Sequence, residues 1–150
     1  MKSLFNESTN LEIIERINKL NASCQGQWGK MSVNQMLAHC RKPLEAAHSE
    51  LQLKRNLIGI LFGPIAKKQL ITQNKPFKKD LPTDKKFIVD NPSEFEQEKK
   101  ALIERIQLFK QKGPEGITKE PHSFFGPLTP NEWDLLQCKH LDHHLSQFGV

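Results

Sequence analysis

Four short polar motifs punctuate this chain, and each is followed by apolar residues at helical spacing. Thr9-Asn10-Leu11-Glu12, Ser32-Val33-Asn34-Gln35, Asn91-Pro92-Ser93-Glu94 and Thr129-Pro130-Asn131-Glu132 share one pattern. A capping residue is followed three positions later by Glu or Gln, as in a helix-opening capping box. After the first, Ile13, Ile14, Ile17 and Leu20 predict a helix to about Ala22. After the second, Val33, Met36, Leu37, Cys40, Leu44 and Ala47 mark an apolar side. Pro43 lies inside that helix and cannot donate to the His39 carbonyl, so a kink is expected there. Phe95, Leu102, Ile106 and Phe109 define the third helix, which Gly113-Pro114 ends. The fourth runs from Pro130 to about Phe148, with Gly149 as terminator.

Residues 53–91 interrupt this regularity. Leu57 to Ile65 is apolar but broken by Gly59, Gly63 and Pro64, which allows a short helix or two. A lysine-rich loop broken by Pro76 and Pro82 follows, and then Phe87-Ile88-Val89, strand-like but without a partner strand. Residues 113–128 form a loop with three Gly and three Pro. The connection between the second and third helices is therefore the long one. The expected architecture is all-α: a four-helix bundle with a long crossover between helices two and three, built as a single domain over residues 1–150.

Charge narrows the choice of partners. The net charge of +5 resides in residues 67–86, which carry seven lysines against two aspartates, and without them the chain is balanced. That stretch has one aromatic, Phe77, and no Arg. It reads as a solvated crossing loop, and no nucleic-acid partner is expected. No apolar run approaches the ~20 residues of a membrane span, so no membrane partner is expected either. The N-terminus lacks a signal-peptide apolar core, and Cys24, Cys40 and Cys138 form no disulfide framework. A reducing, cytoplasmic location is the expectation.

Chemistry concentrates in Lys139-His140-Leu141-Asp142-His143-His144-Leu145, which holds three of the six histidines. His140 and His144 lie one turn apart, on the helix face that also carries Trp133, Leu136 and Phe148. Their imidazoles would point inward, where each needs a partner. With His39 on the second helix they would make a three-histidine metal site with an open position. The donor type suits Zn²⁺, Ni²⁺, Fe²⁺ or Cu²⁺. The competing reading is that these are core-edge histidines, with His39 at the margin of its helix's apolar side. His143 could replace His144 as a ligand, or serve as a neighbouring hydrogen-bond donor. His122, in a Gly/Pro-rich loop before Phe124-Phe125, is a binding or loop-packing residue. His48 is expected to be exposed.

Other motifs fit poorly. A zincin requires Glu after the first His, and here that position is Leu141. Glu45-Ala46-Ala47-His48 is a single Glu-x-x-His, where a di-iron bundle needs two. There is no phosphate loop and no serine nucleophile elbow. Cys40 projects ~100° away from His39 around the helix, which argues against a Cys–His pair.

Three blocks carry a family resemblance. They are Trp28-Gly29-Lys30-Met31-Ser32 with Gln35-Met36-Leu37-Ala38-His39, then His122-Ser123-Phe124-Phe125-Gly126 with Leu128-Thr129-Pro130-Asn131-Glu132-Trp133, and then Lys139 to Leu145. Nearly the whole chain resembles the DinB/YfiT-like superfamily of metalloenzymes, in particular a branch of unknown function. The resemblance implies a four-helix bundle of that type with a divalent metal on His39, His140 and His144. The superfamily includes metal-dependent hydrolases and transferases or isomerases that use low-molecular-weight thiols, and its members are often homodimers. The expected function is that of a metal-dependent transferase or hydrolase acting on a small molecule, with His122 and His143 as candidates for proton transfer. The alternative is a non-catalytic metal- or small-ligand-binding bundle.

Overall fold

The structure is a computed structural model that describes residues 2–55, 57–79, 81 and 83–150. Pro82, expected as a breaker of the lysine-rich loop, and Asp80 lie outside the described residues. The architecture is all-α, with five α-helices among the described residues. They are α1 (Glu7–Asn18), α2 (Val33–Ala47), α3 (Leu57–Lys67), α4 (Phe95–Lys112) and α5 (Pro130–Gln147). Helices α1, α2, α4 and α5 pack on one another as a bundle: α2 contacts α4 and α5, and α1 contacts the same two. The long segment between α2 and α4 carries α3, a π-helical turn at Lys68–Thr72 and a 3-10 turn at Lys85–Phe87. Phe87-Ile88-Val89 thus ends a helical turn and forms no strand. Among the described residues the one β-type pairing is an isolated bridge between His122 and Gly126.

The two helices that matter most for the site start where their capping boxes predict. Ser32 accepts from Gln35 N–H while the Gln35 side chain accepts from Ser32 N–H, at 3.2 and 3.0 Å. Thr129 and Glu132 repeat the exchange at the head of α5, with Pro130 in the first turn. Gly149 lies just past α5 with φ +78°, a left-handed conformation that costs a glycine little. Helix α2 continues through Pro43.

The other two boxes are not used, because tertiary contacts decide those starts. α1 begins at Glu7 behind Asn6, whose Oδ1 accepts from Ser8 N–H, and it ends at Asn18, short of Ala22. Leu4 is fully buried and Phe5 stacks on Phe109 with ring centroids 4.9 Å apart, which anchors the chain before the helix. Asn10 is spent elsewhere: its buried amide donates to the carbonyls of Leu4 and Ile106, at 3.1 and 3.0 Å, and ties α1 to α4. α4 starts at Phe95 behind Glu94, with no side-chain cap from Asn91. Buried Glu98 instead accepts Ser93 N–H at 2.9 Å and Arg41 of α2 at 3.3 Å.

The core lies between the four bundle helices and includes Ile13, Ile17, Met36, Leu37, Leu44, Leu102, Ile106, Phe109, Trp133, Leu141 and Leu145. Lys139 on α5 donates to the carbonyls of Leu70 and Lys75, both at 2.7 Å. It holds the crossing segment beside the α2–α5 seam.

Candidate metal centre

His39, His140 and His144 converge at that seam. Each offers one ring nitrogen, and the three atoms lie within 4.8 Å of one another. His39 is 5% exposed, so it belongs to the interior rather than to the helix margin expected from its spacing. Its ring reaches across so that Nε2 lies 3.0 Å from His140 Nε2. The ring centroids of His39, His140 and His144 are 4.7–4.8 Å apart pairwise.

Hydrogen bonds on the far side of two rings fix which nitrogen is free. His39 Nδ1 is 2.9 Å from the Phe87 carbonyl, which can only accept. A neutral imidazole carries one proton, so Nδ1 donates it and Nε2 presents a lone pair. His144 Nδ1 is 2.8 Å from Gln147 Oε1. The Gln147 amide is itself oriented, because its Nε2 donates to the Trp28 carbonyl at 2.6 Å. His144 therefore also presents Nε2 as a lone pair. An oxygen behind the ring, as His39 and His144 have, is the arrangement that aligns histidine ligands in metal sites.

His140 completes the set differently. Its Nδ1 is buried with no hydrogen-bond partner among the described residues. Its Nε2 faces the His39 lone pair at 3.0 Å, close to the roughly 3.3 Å between nitrogens sharing one tetrahedral Zn²⁺. The donor set fits a divalent cation of the zinc, nickel or iron type.

Electrostatics favour the ligating form. Burial lowers the pKa of all three rings from the ordinary histidine value. His39 is lowered mainly by burial, against the raising effect of its bond to Phe87. His140 is lowered well below the ordinary value, by burial and then by His144 and His39. His144 is pushed down to about 3 by burial and then His39, against the raising effect of Gln147. All three are neutral at physiological pH, as metal ligation requires.

The site opens on a cavity of about 580 Å³ whose wall includes Phe62, Leu70, Phe77, Phe87, Phe125 and Leu136 beside the histidines. Gly59 and Gly63 of α3 allow the crossing segment to close against the 123–125 loop, since a Cβ on Gly63 would meet the Phe124 carbonyl oxygen at 2.1 Å.

The remaining histidines take distinct places. His122 is buried on the cavity wall, and its Nδ1 accepts from Phe124 and Phe125 N–H at 3.0 and 3.4 Å. Its proton is therefore on Nε2, and burial pushes its pKa down to about 4. His143 lies outside the convergent trio, half-buried on the cavity wall between the rings of Trp28 and Phe77, with centroids at 5.7 and 5.9 Å. His48, expected to be exposed, is buried against Phe109 with centroids 5.5 Å apart, because α2 ends with its last turn turned toward α4. Cys40 is buried against Met36, and burial raises its pKa far above the usual thiol value. It does not pair with His39.

Sequence spacing missed Gln147 and the Phe87 carbonyl. The Gln147 signal was available in principle: it lies three residues after His144, one turn on along the same helix. The role of Phe87 depends on a crossing segment whose path no local pattern specifies.

Fold and site together define an all-α bundle protein with a buried three-histidine cluster able to hold a metal ion. The chain belongs to the family described as "Protein of unknown function (DUF1569)", whose model matches residues 3–149. No curated protein and no solved structure matches it.

Proposed function

We propose that the protein is a metal-dependent enzyme of the DinB/YfiT-like type, a four-helix bundle with its long crossover between the second and third bundle helices. It binds a divalent ion through His39, His140 and His144 and acts on a small molecule as a transferase or hydrolase. The observation that carries this reading is the pair of oxygens behind His39 and His144, at 2.9 and 2.8 Å, which set both Nε2 lone pairs toward one point. Histidines that merely fill a core edge have no need of matched tautomers.

When bound, the ion supplies Lewis acidity and lowers the pKa of a coordinated water or low-molecular-weight thiol. The chain does the rest. Phe87 and Gln147 hold the ligand rings. The aromatic wall of Phe62, Phe77, Phe87 and Phe125 excludes water from around a small apolar substrate. His122, a neutral Nε2–H donor, can hydrogen-bond a developing negative charge on the substrate. His143, on the wall of the same cavity, is placed to take or deliver a proton.

A second reading, a non-catalytic metal- or ligand-binding bundle, is favoured by one observation: no carboxylate stands among the three convergent residues. Metal-loaded protein assayed against thiol-acceptor pairs and against amide and ester substrates separates the two. Turnover that disappears in His140→Ala supports the enzyme. Metal retention without turnover on any of these classes supports the binding module.

A further inference from the structure

Helix α3 is the most exposed apolar element of the molecule. Leu57, Leu61 and Ile65 are 78%, 69% and 58% exposed, and Ile58, Ile60 and Phe62 are each more than half exposed. Large apolar residues grouped this way on a soluble surface mark an interaction site. Three of the helix's i, i+4 rows have distinct surroundings. Gly59 and Gly63 face inward and sit on the backbone of residues 123–125. Ile58, Phe62 and Ala66 border the cavity. Leu57, Leu61 and Ile65 face outward. Among the described elements, α3 packs against the π-helical turn that follows it and against none of the other four helices.

The charge around the helix identifies what covers it. Residues 51–79 contain Lys54, Arg55, Lys67, Lys68, Lys75, Lys78 and Lys79 and no Asp or Glu. Of these seven, Lys67 is the one with an ion pair among the described residues, to Glu132 at 2.9 Å. Lys54 and Arg55 precede the helix, and Lys67 and Lys68 close it. A second copy docking through α3 would place the same patch against itself, because a two-fold interface uses one surface twice. Basic ends would then meet basic ends, and the one acidic partner of the patch among the described residues, Glu132, is already taken by Lys67. An anionic lipid surface complements both features at once: acyl chains take the apolar rows, and headgroups take the flanking cations.

We infer that α3 docks the protein peripherally on anionic membranes, with Leu57, Leu61 and Ile65 inserted and the lysines around it on the headgroups. An α-helix of 11 residues spans ~16 Å, too short to cross a bilayer, so it lies in the interface plane. The inference departs from the expectation of no membrane partner, which rested on the lack of a spanning segment. Its consequence is positional. The row next to the inserted one borders the cavity, so docking sets the cavity mouth at the acyl boundary.

The test uses the full chain and vesicles of phosphatidylcholine, with or without phosphatidylglycerol as one third of the lipid. Sedimentation with phosphatidylglycerol vesicles is expected, weakening at least about tenfold on pure phosphatidylcholine and falling again in high salt. The double variant Leu61→Glu/Ile65→Glu, at two exposed positions off the cavity wall, is expected to lose at least about tenfold in partitioning with helicity and metal content unchanged. No binding to phosphatidylglycerol vesicles overturns the inference, and so does binding indifferent to the double variant. A wild-type dimer in sedimentation velocity that becomes monomeric in the double variant, without vesicle binding, assigns the face to a second copy and also overturns it. Metal content measured on the same samples tests the proposed centre separately.

Discussion

His39 and His140 are 101 residues apart in the chain, yet their Nε2 atoms face each other at 3.0 Å across the α2–α5 seam. Because the His39 proton is committed to the Phe87 carbonyl, this contact has two chemical states. Without an ion, His140 Nε2–H donates to His39 and leaves His140 Nδ1 as an unprotonated acceptor. With a bound divalent ion, both Nε2 lone pairs would face it and the His140 proton would sit on Nδ1. Ligation would thus take the place of the His140–His39 hydrogen bond.

Gln147 tests the support behind the ligands. It accepts from His144 Nδ1 and donates to the Trp28 carbonyl. Gln147→Leu is expected to weaken metal binding by roughly 10–100-fold, the usual cost of losing a partner behind a histidine ligand. Isothermal titration of the metal-free protein measures this, with circular dichroism to show that the bundle persists. Unchanged affinity would mean that His144 is oriented by packing alone.

Acid stability follows from the depressed histidines. His144 and His122 have folded-state pKa values of about 3 and about 4, against 6.5 when unfolded. Between those limits the unfolded chain binds more protons, so stability is full above about pH 6.5 and falls as pH drops toward 4. Each such ring contributes a slope of order 1 kcal/mol per pH unit. Urea unfolding of the metal-free protein at pH 7.5, 6 and 5 should show a progressive loss, reduced in His122→Gln. A midpoint constant across that range would contradict the buried neutral cluster.

Asn10 and Thr129 contrast two uses of a polar residue. Thr129→Ala removes a cap at the head of α5 and should cost ~1 kcal/mol. Asn10→Ala strips the partner from two carbonyls, Leu4 and Ile106, in the buried α1–α4 contact and should cost more, ~2–3 kcal/mol. Denaturant titration of both variants settles the order, and a larger loss at Thr129 would contradict it.

Gly63→Ala tests how the crossing segment closes on the site. The added methyl would meet the Phe124 carbonyl oxygen at 2.1 Å, and the loop carrying His122 must shift. A loss of ~1–3 kcal/mol is expected from overpacking, with a change in the His122 ring resonances by NMR. Gly113→Ala, whose Cβ would meet nothing within 4 Å among the described residues, carries only the backbone strain of φ +59° and should leave those resonances unchanged.

The parts of this molecule that were legible in the sequence are those set by local chemistry. The boxes at Ser32 and Thr129 fix the starts of α2 and α5, and the 3.6-residue period puts His39, His140 and His144 where two helices can bring them together. Thr9 and Asn91 carry equally good local signals, and both are overridden. Leu4 and Phe5 anchor the chain ahead of α1, and Glu98 takes the Ser93 amide at the head of α4. Residue spacing also misjudged His48, because the face it occupies depends on how α2 sits against α4. The Phe87 support was illegible for a related reason: a backbone carbonyl carries no side-chain identity, and its position depends on the whole crossing segment.

The measurement closest to the central claim is the metal content of the purified chain and of five variants. His39→Ala, His140→Ala and His144→Ala should each lose most of the bound divalent ion and the rise in melting temperature that it gives. His143→Ala and His48→Ala should retain both. Loss of the ion in His143→Ala with retention in His144→Ala would move the ligand by one residue. Metal content and melting temperature indifferent to all five substitutions would contradict the account, leaving His39, His140 and His144 as buried polar residues of a helical bundle.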